Sequence, residues 1–114
     1  MNAELTFYKV CNLDDIPRNT GVCALIEGKQ IAIFRVGEEN NLYAIDNLDP
    51  FSKANVLSRG IVGCKDGTPK VASPIHKQQF NLQSGECLDD PEKTVRTHVI
   101  QEQAGVVYVS ISPG

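Results

Sequence analysis

Apolar positions along the chain recur with period two, in short runs bounded by turn residues, and no stretch sustains the helical period. VCALIEGKQIAIF reads as a hairpin with strands Val22 to Ile26 and Gln30 to Phe34. Gly28 falls at its tight connection, where a positive φ is cheap. A third strand, Asn41 to Asp46, follows the polar turn Gly37-Glu38-Glu39-Asn40. Near the C-terminus Val95, Thr97 and Val99 alternate with Arg96, His98 and Ile100. Gln103-Ala104-Gly105 then turns the chain into Val107, Val109 and Ile111, alternating with Val106, Tyr108 and Ser110. This is a second hairpin with one core-facing side on each strand. Short strand-like pieces at Lys70 to Ala72 and Gln79 to Leu82, and one helical turn near Pro50 to Asn55, complete an all-β pattern.

Length fits one domain, residues 1–114, because a chain of this size buries roughly two-thirds of its unfolded surface without staples. No repeat, low-complexity segment or linker divides it. Charged residues make up 22% and the net charge is -3, which argues against disorder and against generic binding to nucleic-acid phosphates. The opening MNAELTFYKV lacks the basic and apolar regions of a signal peptide, and no run approaches the roughly 18 apolar residues of a membrane span. A cytoplasmic protein with no membrane contact is expected. Cys11, Cys23, Cys64 and Cys87 form neither a C-x-x-C nor a C-x-H pair, so zinc and redox-dithiol spacings are absent. Four reduced thiols are expected, mostly small buried hydrophobes, with Cys64 and Cys87 in loop-like contexts open to exposure.

Residues 47–88, between the hairpins, are rich in Gly, Pro, Ser and Lys and read as a loop subdomain. Loops on a rigid β scaffold are where binding and chemistry concentrate. The opening hairpin, YAIDN, a loop closing on LSRG, then SPIHKQQFNLQSGECL and a last hairpin AGVVYVSI together resemble a Rieske-type domain over nearly the whole chain. That resemblance implies an antiparallel β-sandwich or barrel with a loop subdomain at one tip. In that family the two loops read C-x-H and C-P-x-H-x-x-x-F-x-L-x-x-G, and paired cysteines and histidines hold a two-iron, two-sulfur cluster. Pro74, His76, Phe80, Leu82 and Gly85 keep the second motif, with Ser73 at the cysteine position. Asp49-Pro50-Phe51 occupies the C-x-H position of the first. Of the four ligands only His76 remains, so no bound cluster is expected and Asp49, Phe51, Ser73 and His76 are vestigial ligand positions.

A narrower family matches the departures themselves. DNLDPFSKANVLSRGIVG followed by VASPIHKQQFNLQSGECLDD resembles the small subunits of the cytosolic NAD(P)H-dependent nitrite reductases. What this implies is a large-subunit partner carrying FAD, sirohaem and an iron-sulfur cluster, which reduces nitrite to ammonium in assimilation, and a small chain that is accessory and not itself catalytic. A cluster-less Rieske-like binding module serving another oxidoreductase is the alternative.

The loop residues carry competing readings. His76 is a leftover ligand position or an ordinary loop residue, and structural or contact work is expected of it. Asp49 before Pro50 initiates a turn or touches a partner. Phe51 plugs the core or anchors an interface. Lys53, Arg59 and Lys77 are solvated surface or a positive patch that steers docking onto an acidic surface. Ser73 and His76 with Asp46 or Asp49 contain the residue types of a hydrolytic triad, but there is no nucleophile elbow. The partner-binding candidates are therefore Asp49, Pro50, Phe51, Ser52, Lys53, Ser58, Arg59, Ser73, Pro74, His76, Lys77 and Gln78.

Overall fold

The computed structural model describes residues 6–111, nine strands and two 3-10 turns among them. Six strands form one antiparallel sheet in the order β1 (Tyr8–Asn12), β9 (Val106–Ser110), β8 (Thr97–Gln103), β4 (Asn41–Asp46), β3 (Lys29–Val36) and β2 (Thr20–Ile26). The sheet curls so that its two edge strands, β1 and β2, face each other across a cleft. A second sheet of β5 (Ile61–Lys65), β6 (Thr68–Ala72) and β7 (Gln79–Asn81) packs beside it. The all-β expectation holds, with an antiparallel sheet nearly closed on itself and a smaller sheet beside it.

Three of the hairpins close on two-residue turns, Glu27-Gly28, Asp66-Gly67 and Ala104-Gly105. Both residues of each take positive φ, as the type I′ turn that matches strand twist demands.

β3 organises the interior. Its run Ile31-Ala32-Ile33-Phe34 is fully buried, because both faces of the strand are covered. Ile31 and Ile33 enter one core with Ile16, Ile26, Ala44, Val107 and Val109. Ala32 and Phe34 enter the other, with Ile45, Leu57, Val71, Phe80, Leu82, Cys87 and Val95. The first core fills the curl of the six-stranded sheet; the second joins that sheet to the three-stranded one. Period two along a single strand thus feeds two cores.

Four local expectations are corrected. The helical turn is a 3-10 turn at Leu57–Arg59, not at Pro50 to Asn55, which forms a hydrogen-bonded loop. The four thiols, all free, are not mostly buried: Cys87 alone lies in a core, Cys11 is half-buried, and Cys23 is exposed, as is Cys64, for which exposure was open. On β8 the inward residues are His98 and Ile100, and Val99 is exposed. Beyond the expected strands lie β1 and β5. β4 and β8 share only two register pairs, Ala44 with His98 and Ile45 with Thr97. Buried His98 reinforces that short seam through Nε2, 2.7 Å from Asp46 Oδ1.

Candidate functional site

Two loops leave the second core and meet at one buried contact. The first runs Asp49-Pro50-Phe51-Ser52-Lys53-Ala54 and the second Ser73-Pro74-Ile75-His76-Lys77-Gln78. In both, proline presets φ at the second position, and the first residue's side-chain oxygen caps the turn. Phe51 N–H donates to Asp49 Oδ1 at 2.9 Å, and Ile75 N–H to Ser73 Oγ at 3.3 Å. Lys53 N–H donates to the Asp49 carbonyl at 2.8 Å, and Lys77 N–H to that of Ser73 at 3.0 Å. Asp49 N–H reaches the Ala54 carbonyl at 2.8 Å, and Ser73 N–H that of Gln78 at 2.9 Å. The same turn is built twice. Each ends on a lysine in the left-handed region, Lys53 at φ 63° and Lys77 at φ 62°.

The first residues of the two turns are bonded to each other. Ser73 Oγ donates to Asp49 Oδ2 at 2.6 Å, with Asp49 at 0% and Ser73 at 1% exposure. Burial pushes the Asp49 carboxyl up, but hydrogen bonds from Ser73, from the Phe51 amide and from Ser52 outweigh it and hold the group below the usual carboxylate range. A carboxylate taken from water this way needs such donors to remain charged.

Asn47, which sequence reasoning passed over, ties the first loop to the body. Its Oδ1 accepts the Ser58 amide at 2.7 Å, while Nδ2 donates to Gln30 Oε1 at 3.1 Å and to Cys23 Sγ at 3.5 Å. Its backbone carbonyl accepts from Leu57. Gly60 follows because a Cβ there would sit 2.3 Å from the Ala72 carbonyl, so only glycine lets this chain pass β6 so closely. The signal for Asn47 was a polar residue closing the strand YAID; nothing local named its partners.

The other candidates divide by exposure. Ser58 is buried, and Phe51 is half-buried with its ring 6.2 Å from that of Phe80. Pro50 and Ser52 are half-buried; Lys53, Arg59, Pro74, His76 and Lys77 are exposed. Gln78 is half-buried and its Oε1 has no hydrogen-bond partner among the described residues. His76 makes no hydrogen bond to Ser73, whose hydroxyl is committed to Asp49, so the triad residues are not assembled.

A family model described as the Rieske-like [2Fe-2S] domain matches residues 6–110 of this chain, which belongs to that family. The NADH nitrite reductase small subunit of Salmonella typhimurium is 45% identical over 103 residues, covering 90% of this chain and 95% of that one. The solution structure of the nitrite reductase [NAD(P)H] small subunit from Erwinia carotovora is 47% identical, with a TM-score of 0.79 over 95% of this chain and 83% of that one. Within the family, the chain groups with the small subunits of nitrite reductase. The nitrite reductase [NAD(P)H] large subunit of Klebsiella oxytoca also contains a stretch 44% identical to it, spanning 88% of this chain and 10% of that one.

A Rieske cluster takes two thiolates on one iron and two imidazoles on the other. At the positions to which the loop motifs assign those ligands stand a carboxylate and a hydroxyl bonded to each other, a phenyl ring against Phe80, and an exposed imidazole. Those residues do not fit the cluster. Among the described residues no group of three or more His, Cys, Asp or Glu is placed to hold a metal, and no helix is long and apolar enough to cross a membrane.

Proposed function

We propose that this chain is a non-redox accessory subunit of an assimilatory NAD(P)H-dependent nitrite reductase. It docks on or stabilises a large subunit that carries FAD, sirohaem and an iron-sulfur cluster and reduces nitrite to ammonium. The carrying observation is the buried Asp49–Ser73 hydrogen bond at the two cysteine positions. The two loops are held together as matching turns by a side-chain hydrogen bond instead of a metal cluster, which supports a contact surface kept in shape without redox chemistry. The occurrence of a closely similar stretch inside the Klebsiella oxytoca large-subunit chain supports physical association of the two functions. The chain acts as one domain in the cytoplasm, its loop subdomain at residues 47–88 supplying the contact surface and no metal of its own.

Tagged chain recovered from cells grown on nitrate tests this reading. A co-purifying large chain with flavin and sirohaem absorbance, together with iron below one equivalent in the isolated small chain, is the expected result. Stoichiometric iron with Rieske-type visible absorption in the small chain alone, or purification without a large partner, overturns it.

A further inference from the structure

The two edges of the three-stranded sheet are treated differently. Along β7 the edge is covered: Leu88 N–H donates to the Gln79 carbonyl at 2.7 Å, Asp89 Oδ2 accepts the Gln79 amide at 2.8 Å, and Cys87 pairs with Phe80 in an antiparallel bridge. Proteins guard edges in this way because a row of free N–H and C=O groups invites another chain. No strand or bridge covers the outer edge of β5 among the described residues.

Which groups of β5 are free follows from its register. The two-residue turn Asp66-Gly67 makes Lys65 and Thr68 a hydrogen-bonded pair, so the next pair, Cys64 with Pro69, is not one. Pro69 has no N–H to give, and its carbonyl accepts from Leu82 on the β7 side. By the same alternation Gly63 is bonded to Lys70, while Val62, like Cys64, turns its backbone groups away from β6. No hydrogen bond among the described residues reaches them from the open side. Outward N–H and C=O groups two residues apart on a strand match an extended backbone.

Those groups line a groove of about 550 Å³ between the two sheets. Val36, Tyr43 and Val62 form its apolar part, half-buried against the second core, with Asn41, Cys64 and Gln83 exposed along it. None of the described residues that line it is charged. The groove thus offers backbone pairing, one apolar seat and neutral amides, which fits a single uncharged strand.

We propose that the open edge of β5 takes an extended, uncharged segment of the large subunit as an added strand, its backbone paired with Val62 and Cys64 and an apolar side chain seated on Val36 and Tyr43. This rests on the accessory-subunit reading and gives the partner a second contact, away from the tip and made through main-chain groups.

Cys64 is its own reporter, since its thiol is free and exposed on the strand in question. In the complex with the purified large subunit, alkylation of Cys64 by iodoacetamide is expected to slow about tenfold or more, while Cys23, exposed on β2, reacts as in the free chain. Cys64→Pro removes the outward N–H without touching the β5–β6 ladder, and proline is tolerated at such an edge position. It is expected to weaken binding about tenfold or more at an unchanged Tm. Cys64→Ser keeps the N–H and is expected to bind within about twofold of wild type. Should the proline variant melt early, the alkylation result decides alone. Unchanged alkylation of Cys64 in a formed complex, or equal weakening by Cys64→Ser and a folded Cys64→Pro, overturns the added strand and leaves the accessory role standing. A wild-type chain that never binds the large subunit refutes that role, and the added strand falls with it.

Discussion

In the first tip loop Phe51 leans on Phe80 and Ser52 is half-buried, whereas Ile75 and His76, at the matching steps of the second loop, stand exposed. The backbone turn is the same in both, so burial does not dictate it; a proline, a side-chain acceptor ahead of it and a left-handed fifth residue do. What burial decides is the job each loop is free to do. The first is bolted to the body by Asn47, the Leu57–Arg59 turn and the second core. The second hangs from the first by the Asp49–Ser73 bond and turns its side chains outward. One loop is scaffold and the other is surface.

Removing the shared bond should do most damage. Asp49→Ala strips the acceptor from Ser73 Oγ and the Phe51 amide, and is expected to lower the unfolding free energy by about 3 kcal/mol in urea titration, since hydrogen bonds to a charged group are the costly ones to break. A loss below about 1 kcal/mol would mean the two loops do not depend on each other. Asn47→Ala comes next, at about 2 kcal/mol, because it leaves the buried Ser58 amide unsatisfied. If the first loop is the scaffold, this variant should also speed amide exchange at residues 57–59 more than at 74–78.

Acid sensitivity sharpens the same point. The Asp49 carboxyl is held below its ordinary value in the folded state, so its stabilising contribution is complete above the unfolded pKa of about 4 and drains away as pH falls through the lower folded value. Asp49→Asn should therefore lose less stability than the wild type between pH 5 and pH 2. Parallel curves would show that the charge of Asp49 contributes nothing. The smallest stability effect belongs to Ile75→Ala, expected within about 0.5 kcal/mol of wild type, because an exposed side chain makes few contacts to lose. Its cost should appear in binding to the large subunit instead.

Much of the body was legible because its signals are local. Glu27-Gly28 flanked by alternating apolar residues announces a hairpin, and the final pair of strands does the same around Ala104-Gly105. β1 and β5 were not, since YKVCN and IVGCK are short, mixed in polarity and gain their stability from partners distant in sequence or revealed only by pairing. His98 reads as an outward polar residue until Asp46, fifty-two positions away, is brought beside it. At the tip, the family motif located Asp49 and Ser73 as positions, but their bond spans twenty-four residues and no spacing rule gives it. The recurrence of x-P-x-x-K in DPFSK and SPIHK was visible in the letters; only the hydrogen bonds show it to be one turn made twice.

The docking tip is tested most directly by amide hydrogen exchange on the chain with and without the purified large subunit. Slower exchange in the complex at residues 51–59 and 74–78, with the β1 and β2 edges unchanged, is the result this account predicts. Protection confined to those edges, with the tip exchanging as in the free chain, would contradict it.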